Sequence, residues 1–286
     1  MTARTGHFLG STLIVMVLIA SSSAFAQQRP LLTQDPETIG AGRVLIEGGV
    51  EHDADVYYPL SGLTGNLWRV PVVGVIVGVG SIAEVQLTGG PYDRLTVTGR
   101  QPAPLSSMTT FTGDTTSDVD DIILATKVRV AGETQSRPAF GLRFATRLPN
   151  AKHASGLGQD TIDFYATALV GKTFQSIRIV ANMGLGIMPD PTRADRQNDV
   201  LLYGVSIARA VTGEIELVGE INGRLNTRSG DAPPGTESRG VIRAGARYTR
   251  GPARVDAALL LGVTTPDPAL GFTVGFTYVF DAFKTP

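Results

Sequence analysis

The stretch Leu270–Asp281, with the sequence LGFTVGFTYVFD, decides the fold. Every second residue from Leu270 to Phe280 is apolar, and most positions between them hold Gly, Thr or Asp. Successive side chains of a β-strand point to opposite faces, so one face of this strand meets an apolar surrounding and the other a wet one. The same alternation recurs along the chain, which predicts an all-β protein.

The amino terminus has the pattern of a secretory signal peptide. Arg4 supplies a positive charge, the uncharged and mostly apolar run 8–20 follows, and Ala24-Phe25-Ala26 forms a small-residue cleavage site before Gln27. A single anchoring helix is the alternative, but the apolar run is short for a membrane span. We therefore predict that residues 1–26 are removed by cleavage between Ala26 and Gln27 and that the mature protein is exported.

About twelve strands are predicted after an irregular, proline-bearing segment at residues 27–41. They cover residues 42–52, 67–79, 82–98, 119–131, 139–148, 161–171, 175–187, 199–210, 213–224, 239–249, 253–263 and 270–281. The third strand contains Gly89-Gly90-Pro91, which predicts either a bulge or a turn that splits it. Closure into a barrel requires the last strand to pair with the first.

The connections alternate in length. Those after the second, fourth, sixth, eighth and tenth strands are short, whereas most of the others are long and polar, such as 53–66, 99–118 and 225–238. Outer-membrane barrels have short periplasmic turns, longer extracellular loops and an even number of strands. The alternation favours a transmembrane, antiparallel, up-and-down β-barrel at residues 42–286.

Charge is confined to one face of the predicted strands. A Lys or Arg on the lipid face at mid-bilayer costs about 2–4 kcal/mol, so a barrel with a polar lumen is expected to show this segregation. A soluble β-protein with its apolar faces packed together is the alternative. The predicted lumen-lining residues are Glu47, Glu84, Lys127, Arg129, Arg143, Arg147, Arg178, Glu216, Glu220, Arg243, Arg247 and Arg254. They could form a selectivity constriction, or they could pair across neighbouring strands and fill the interior.

The second predicted strand is apolar on both faces. Val72, Val73, Val75, Ile76, Val77 and Val79 are interrupted only by Gly74 and Gly78. One of the two faces must look into the barrel. That apolar patch would suit a hydrophobic solute, or it would pack against residues 27–41 acting as a plug.

Composition excludes several function classes. The formal net charge of −1 and the lack of a basic run interleaved with aromatic residues argue against nucleic-acid binding. The sequence has no cysteine, which excludes disulfides and thiolate-bound metals, and we predict no cofactor.

Two motifs contain residues that could support chemistry. His153 and Ser155 have the spacing of a lipid-active barrel enzyme, but no Asn stands at a plausible partner position on the next strand, so we predict no enzyme activity. Asp114, Asp118, Asp120 and Asp121 could hold Ca²⁺, and a solvated acidic loop end is the simpler interpretation.

Short motifs resemble a known family. Residues 33–40 (TQDPETIG) lead into 42–50 (GRVLIEGGV), and 118–127 (DVDDIILATK) and 144–149 (FATRLP) follow. These are similar to motifs of the outer-membrane, transporter-like family of the MetA pathway of phenol degradation. The resemblance implies a β-barrel and traffic of aromatic or other hydrophobic compounds.

Together, these patterns predict an outer-membrane channel for small hydrophobic or aromatic solutes. The alternative is a non-conducting barrel with a structural or adhesive role. The expected partners are outer-membrane lipid, a small-molecule solute and a barrel-assembly machinery.

Overall fold

The computed structural model describes residues 29–193 and 195–284. Within these ranges, fourteen strand segments form one antiparallel sheet that closes on itself. The segments are β1 (Arg43–Tyr58), β2 (Leu63–Gly78), β3 (Ala83–Gly89), β4 (Asp93–Arg100), β5 (Thr115–Asp118), β6 (Ile122–Ala131), β7 (Ala139–Leu148), β8 (Asp163–Phe174), β9 (Ile177–Pro189), β10 (Gln197–Ala210), β11 (Ile215–Asn226), β12 (Arg239–Arg250), β13 (Ala253–Gly262) and β14 (Leu270–Asp281).

The barrel has twelve strands because two pairs of segments each form one interrupted strand. β3 and β4 both pair with β2, one above the other, and β5 and β6 continue the next strand in the same way. The first break falls at Gly90-Pro91, where proline cannot donate to the ladder. The prediction of about twelve strands is confirmed, and Gly89-Gly90-Pro91 interrupts the third strand without reversing it, because β3 and β4 both pair with β2.

The first and last strands close the barrel, as predicted. β14 pairs with β1 from Arg43 opposite Asp281 to Ala54 opposite Leu270. Every other strand pairs with its neighbours in the chain, which makes the topology up-and-down.

One predicted loop is wrong. Residues 53–66 were expected to form a long polar connection, but β1 continues to Tyr58 and β2 begins at Leu63. Val56, Leu63 and Leu67 are buried in this extension against Leu95 and Val97 of β4. Their burial stabilises a hairpin in place of the predicted loop. The polar residues between them hide the strand pattern in the sequence.

The remaining connections follow the predicted alternation. We call the end of the barrel at residues 79–82, 132–138, 175–176, 211–214 and 251–252 the turn end, and the end at 59–62, 101–114, 149–162, 190–196, 227–238 and 263–269 the loop end. The chain enters β1 and leaves β14 at the turn end. No helix among the described residues is long and apolar enough to cross a membrane.

The outer surface is an apolar belt. Large apolar side chains on almost every strand are exposed, among them Leu87, Phe144, Met183, Val205 and Leu259. In the stretch Leu270–Asp281, Phe276 and Tyr278 stack on the outside with ring centroids 6.4 Å apart. Buried Glu, Asp, Lys and Arg side chains lie on the opposite face. This arrangement is that of a transmembrane β-barrel rather than a soluble one.

Candidate functional site

The residues that precede β1 lie against the inner wall of the barrel. We call residues 29–41 the N-terminal strap. It contains no strand, yet Leu31, Thr33 and Ile39 are buried. Its contacts pass from strand to strand around the wall.

The first part of the strap is held through its backbone. The amides of Leu32 and Thr33 donate to the carboxylate of Glu220 on β11, over 2.8 and 2.7 Å. The backbone of Gln34 bonds both ways with the Asn182 side chain on β9, over 2.6 and 2.8 Å. Because these groups belong to the peptide backbone, the contacts need little sequence specificity in the strap.

The middle of the strap is held by charge. Arg178 of β9 binds both carboxylate oxygens of Asp35, over 2.9 and 2.7 Å, and this bidentate geometry is the strong form of an ion pair. Lys127 Nζ donates to the Asp35 carbonyl over 2.9 Å. Glu37 pairs with Arg129 of β6 over 2.6 Å.

The last part of the strap packs against β1, β2 and β14. Ile39 is buried with Leu45, Ile76 and Val279. Its amide donates to Glu84 of β3 over 2.8 Å. Part of the apolar inner face predicted for the second strand is therefore covered by the strap.

None of the twelve predicted lumen-lining side chains is exposed. Several form ion pairs across strands: Arg243 with Glu220 at 3.1 Å, Glu216 with Arg247 at 3.8 Å and with Arg254 at 3.6 Å. Arg147 binds both Asp121 and Asp163. Glu47 lies against Gly74, and Arg143 bonds to Gln86 over 2.8 Å.

The strap divides the interior into two chambers. The turn-end chamber has a volume of about 640 Å³ and is bounded by strap residues 35 and 37–41. The loop-end chamber has a volume of about 550 Å³ and is bounded by strap residues 29–32 and 34. Val72 and Ile76, which lie on the inward face of β2, give the loop-end chamber an apolar wall.

Sequence reasoning missed the wall contacts of Arg29, Asp35 and Glu37, which are close to the predicted cleavage site and carry no strand pattern. It also missed a charged cluster in which Arg69 binds Glu51 at 2.5 Å and Asp53 at 2.6 Å. The sequence pattern puts Glu51 on the charged face of the first predicted strand, and Asp53, two residues further on in the predicted loop 53–66, continues that face in β1.

At the turn end, Glu133 connects the wall to the strap. It binds Arg178 over 2.5 Å and Lys172 over 3.1 Å, and its carboxylate accepts the Thr173 amide over 2.7 Å. Burial acts to raise the pKa of Glu133, but these hydrogen bonds outweigh it and hold the pKa below its ordinary value of 4.5.

The Ser155 hydroxyl is engaged by backbone. It donates to the Lys152 carbonyl over 2.7 Å and accepts the Leu157 amide over 3.2 Å. His153 Nδ1 faces Asp160 at 3.1 Å.

The acidic residues considered for Ca²⁺ are partly occupied by protein donors. Asp118 accepts the amides of Val119 and Lys152, and Asp121 accepts those of Asn150 and Ala151. No group of three or more His, Cys, Asp or Glu in the described part of the chain could hold a metal ion. The predicted cleavage position at Ala26 and Gln27 lies outside the described residues.

The fold is similar to those of known outer-membrane proteins. An outer-membrane channel from Pseudomonas putida F1 matches with a TM-score of 0.62 and 13% sequence identity, over 86% of this chain and 98% of that chain. The NanC porin matches with a TM-score of 0.50 and 7% identity, over 85% of this chain and 100% of that chain.

Comparison with protein-family models finds no match, and comparison with curated proteins finds none. The resemblance to the phenol-degradation family therefore rests on its motifs, and the structural likeness concerns the fold.

Proposed function

We propose that this protein is an outer-membrane channel for small hydrophobic or aromatic solutes, with its N-terminal strap as the plug. The observation that carries the proposal is the division of a closed barrel into two chambers by residues 29–41. A solute that crosses the barrel must pass the strap.

The apolar belt and the loop lengths support the placement in the membrane. The outer surface matches lipid, and the loop end is the extracellular end by the pattern of outer-membrane barrels. The similar structures are described as an outer-membrane channel and a porin. Insertion of such a barrel calls for a barrel-assembly machinery.

The strap is suited to reversible displacement. It adds no strand to the sheet, and many of its contacts are polar ones that water can replace. Its buried apolar residues are Pro30, Leu31, Pro36 and Ile39, so displacement exposes the apolar area of four side chains.

One observation favours the alternative of a non-conducting barrel. The loops at the loop end bind one another: Ser61 Oγ donates to the Gly156 carbonyl over 2.7 Å, and the Thr110 amide donates to the Ala154 carbonyl over 2.9 Å. Gln159 Nε2 donates to the Gly235 carbonyl over 3.3 Å. Loops packed in this way narrow the extracellular entrance.

A disulfide lock separates the two candidates. A Cβ atom built on Gly204 lies 2.9 Å from Thr33 Oγ1, close to the spacing between a sulfur and the Cβ of its disulfide partner. The chain has no cysteine of its own, so Thr33→Cys with Gly204→Cys is the only thiol pair. Conductance in planar bilayers and solute flux into liposomes are measured with the lock oxidised and reduced, with Thr33→Cys alone as the control.

The channel proposal predicts that solutes cross the double variant when its two thiols are free. Flux should be smaller once the disulfide has formed. Equal flux in both states would contradict the role of the strap as a plug. No flux in the unsubstituted or the reduced protein would establish the non-conducting barrel.

A further inference from the structure

A small pocket beside the loop-end chamber contains a cation, Arg143, that forms no direct ion pair with any described residue. The pocket has a volume of about 160 Å³ and lies between strap residues 32–34 and the wall formed by β7 to β11. Arg143 is the one charged residue among those that line it, and it also lines the loop-end chamber. Leu32, Gln34, Asn222 and Gly223 also line both cavities, so the two adjoin along this stretch of the wall and the strap.

Most inward-facing arginines bind a carboxylate, whereas Arg224 and Arg239 bind backbone carbonyls and Arg143 binds a neutral side chain. Its Nε donates to the Gln86 side-chain oxygen over 2.8 Å, and no Asp or Glu oxygen of the described residues lies within 4.0 Å. Arg147, four residues further along β7 and on the same face, binds two carboxylates. Charged groups inside proteins are ordinarily paired, so a guanidinium that faces a cavity without a carboxylate is a candidate binding site for an anion.

The other polar groups of the pocket are neutral; Asn182 and Tyr203 donate to backbone carbonyls, and three further groups can donate to a ligand. Thr167 contributes a hydroxyl. Asn222 Oδ1 accepts from Arg243 over 2.9 Å, which directs the amide nitrogen of Asn222 elsewhere as a donor. Thr33 Oγ1 is buried with no hydrogen-bond partner. A carboxylate, which only accepts hydrogen bonds, matches this set.

Among the acidic residues that line the loop-end chamber, Glu47 and Asp120 form no ion pair with the described residues, whereas others are engaged. Glu51 and Asp53 share Arg69, and Asp121 binds Arg147. Repulsion of an anion by these paired side chains is therefore reduced, while the charge of Arg143 is available.

An apolar surface adjoins the cationic pocket. Val72 and Ile76 of β2 line the loop-end chamber together with Leu31 and Leu260. A ligand whose charged group sits at Arg143 can place an apolar body in the larger cavity, where burial of apolar area favours binding.

We infer that the loop-end chamber and the Arg143 pocket together bind an amphipathic organic anion, a carboxylate with a compact apolar body. This inference rests on the proposed channel and names its solute class. Neutral hydrophobic compounds fill the apolar cavity without using Arg143, and small hydrophilic anions use Arg143 without the apolar cavity.

Equilibrium dialysis tests the inference. It measures how tightly the refolded full-length barrel binds benzoate, benzamide and acetate. Benzamide has the size of benzoate without its charge, and acetate has the charge without the ring. The inference expects benzoate to bind at least about tenfold tighter than either, because a charge-assisted hydrogen bond in a partly desolvated site is worth that factor.

Substitutions locate the effect. Arg143→Gln is expected to weaken benzoate binding about tenfold and leave benzamide unchanged, and Arg143→Lys is expected to retain part of the preference. Arg209→Gln removes an equal charge at an exposed position and serves as the matched control.

Equal binding of benzoate and benzamide, or an Arg143→Gln protein with unchanged benzoate binding, would overturn the inference. Flux through liposomes is measured on the same proteins. If solutes cross without preference for benzoate, the anion site is wrong and the channel stands. If benzoate binds through Arg143 and no solute crosses, the channel fails and the site stands.

Discussion

Lys127 and Glu84 face each other across β6 and β3, with Lys127 Nζ 2.9 Å from Glu84 Oε1 and both side chains 0% exposed. The pair also fixes the strap: Glu84 accepts the Ile39 amide and Lys127 donates to the Asp35 carbonyl. Two charges hidden from water are stable here because each is paired and hydrogen-bonded. The pair therefore couples the wall of the barrel to the segment inside it.

Glu84→Ala is expected to destabilise the barrel by about 3–5 kcal/mol, because it leaves Lys127 buried without a partner. The free energy of unfolding is measured by urea titration in phospholipid bilayers, with the fluorescence of the single tryptophan, Trp68, as the signal. The double variant Glu84→Gln with Lys127→Met has no charge at either position of the pair, and it should recover more than half of the lost stability. A loss below about 1 kcal/mol in the single variant would show that the pair does not stabilise the fold.

Gly78 permits the strap to approach the wall. A Cβ atom at this position would overlap the Gly40 carbonyl, so Gly78→Ala is expected to displace the end of the strap and cost about 1–3 kcal/mol through overpacking. Conductance in planar bilayers should rise in the same variant. Gly213→Ala is the matched control, because a Cβ atom there has nothing within 4 Å. Identical conductance for the two variants would show that the end of the strap does not restrict the lumen.

The apolar belt can be tested at mid-membrane. Met183 is at the centre of β9 and is 65% exposed. Met183→Arg should therefore destabilise the barrel in bilayers, lowering the free energy of unfolding by about 2–4 kcal/mol. Val211 is 56% exposed but lies in a turn at the end of the barrel, where Val211→Arg should cost about 0–1 kcal/mol. Equal costs at the two positions would be inconsistent with a lipid-facing belt centred on Met183.

Glu133 predicts a pH dependence at the turn end. Its pKa in the folded protein lies below the ordinary value of 4.5, so its contribution to stability is present above that value and is lost as the pH falls through the folded pKa. Between about pH 5 and pH 3, the unsubstituted protein should therefore lose more stability than Glu133→Gln, which has no carboxyl group to protonate. Urea titrations at several pH values measure both slopes. Parallel slopes would indicate that Glu133 is not stabilised as a carboxylate.

Much of the fold follows from local pattern. The alternation of Leu270–Asp281 indicates a strand with one apolar face, and the recurrence of that pattern with alternating connection lengths indicates an up-and-down barrel. Both properties depend on residues close in sequence, because the side-chain direction of a strand repeats every two residues. The pairing of β14 with β1 then follows from closure. The hairpin at 53–66 escaped prediction because its buried residues are sparse and their partners, Leu95 and Val97, are on β4.

By itself, the sequence determined the number of strands, their inward and outward faces and the closing pair, since these are set by the period of the strand and by the turns. Only the tertiary structure decided where the strap lies and which charges are paired. The Thr33 amide meets Glu220 across 187 residues of sequence and the Gln34 amide meets Asn182 across 148, and no periodicity encodes contacts at such separations. The surroundings of Arg143 were also decided by the tertiary structure. Its position in the alternation of β7 shows that it faces inward, but which strands surround it determines that no described carboxylate pairs with it.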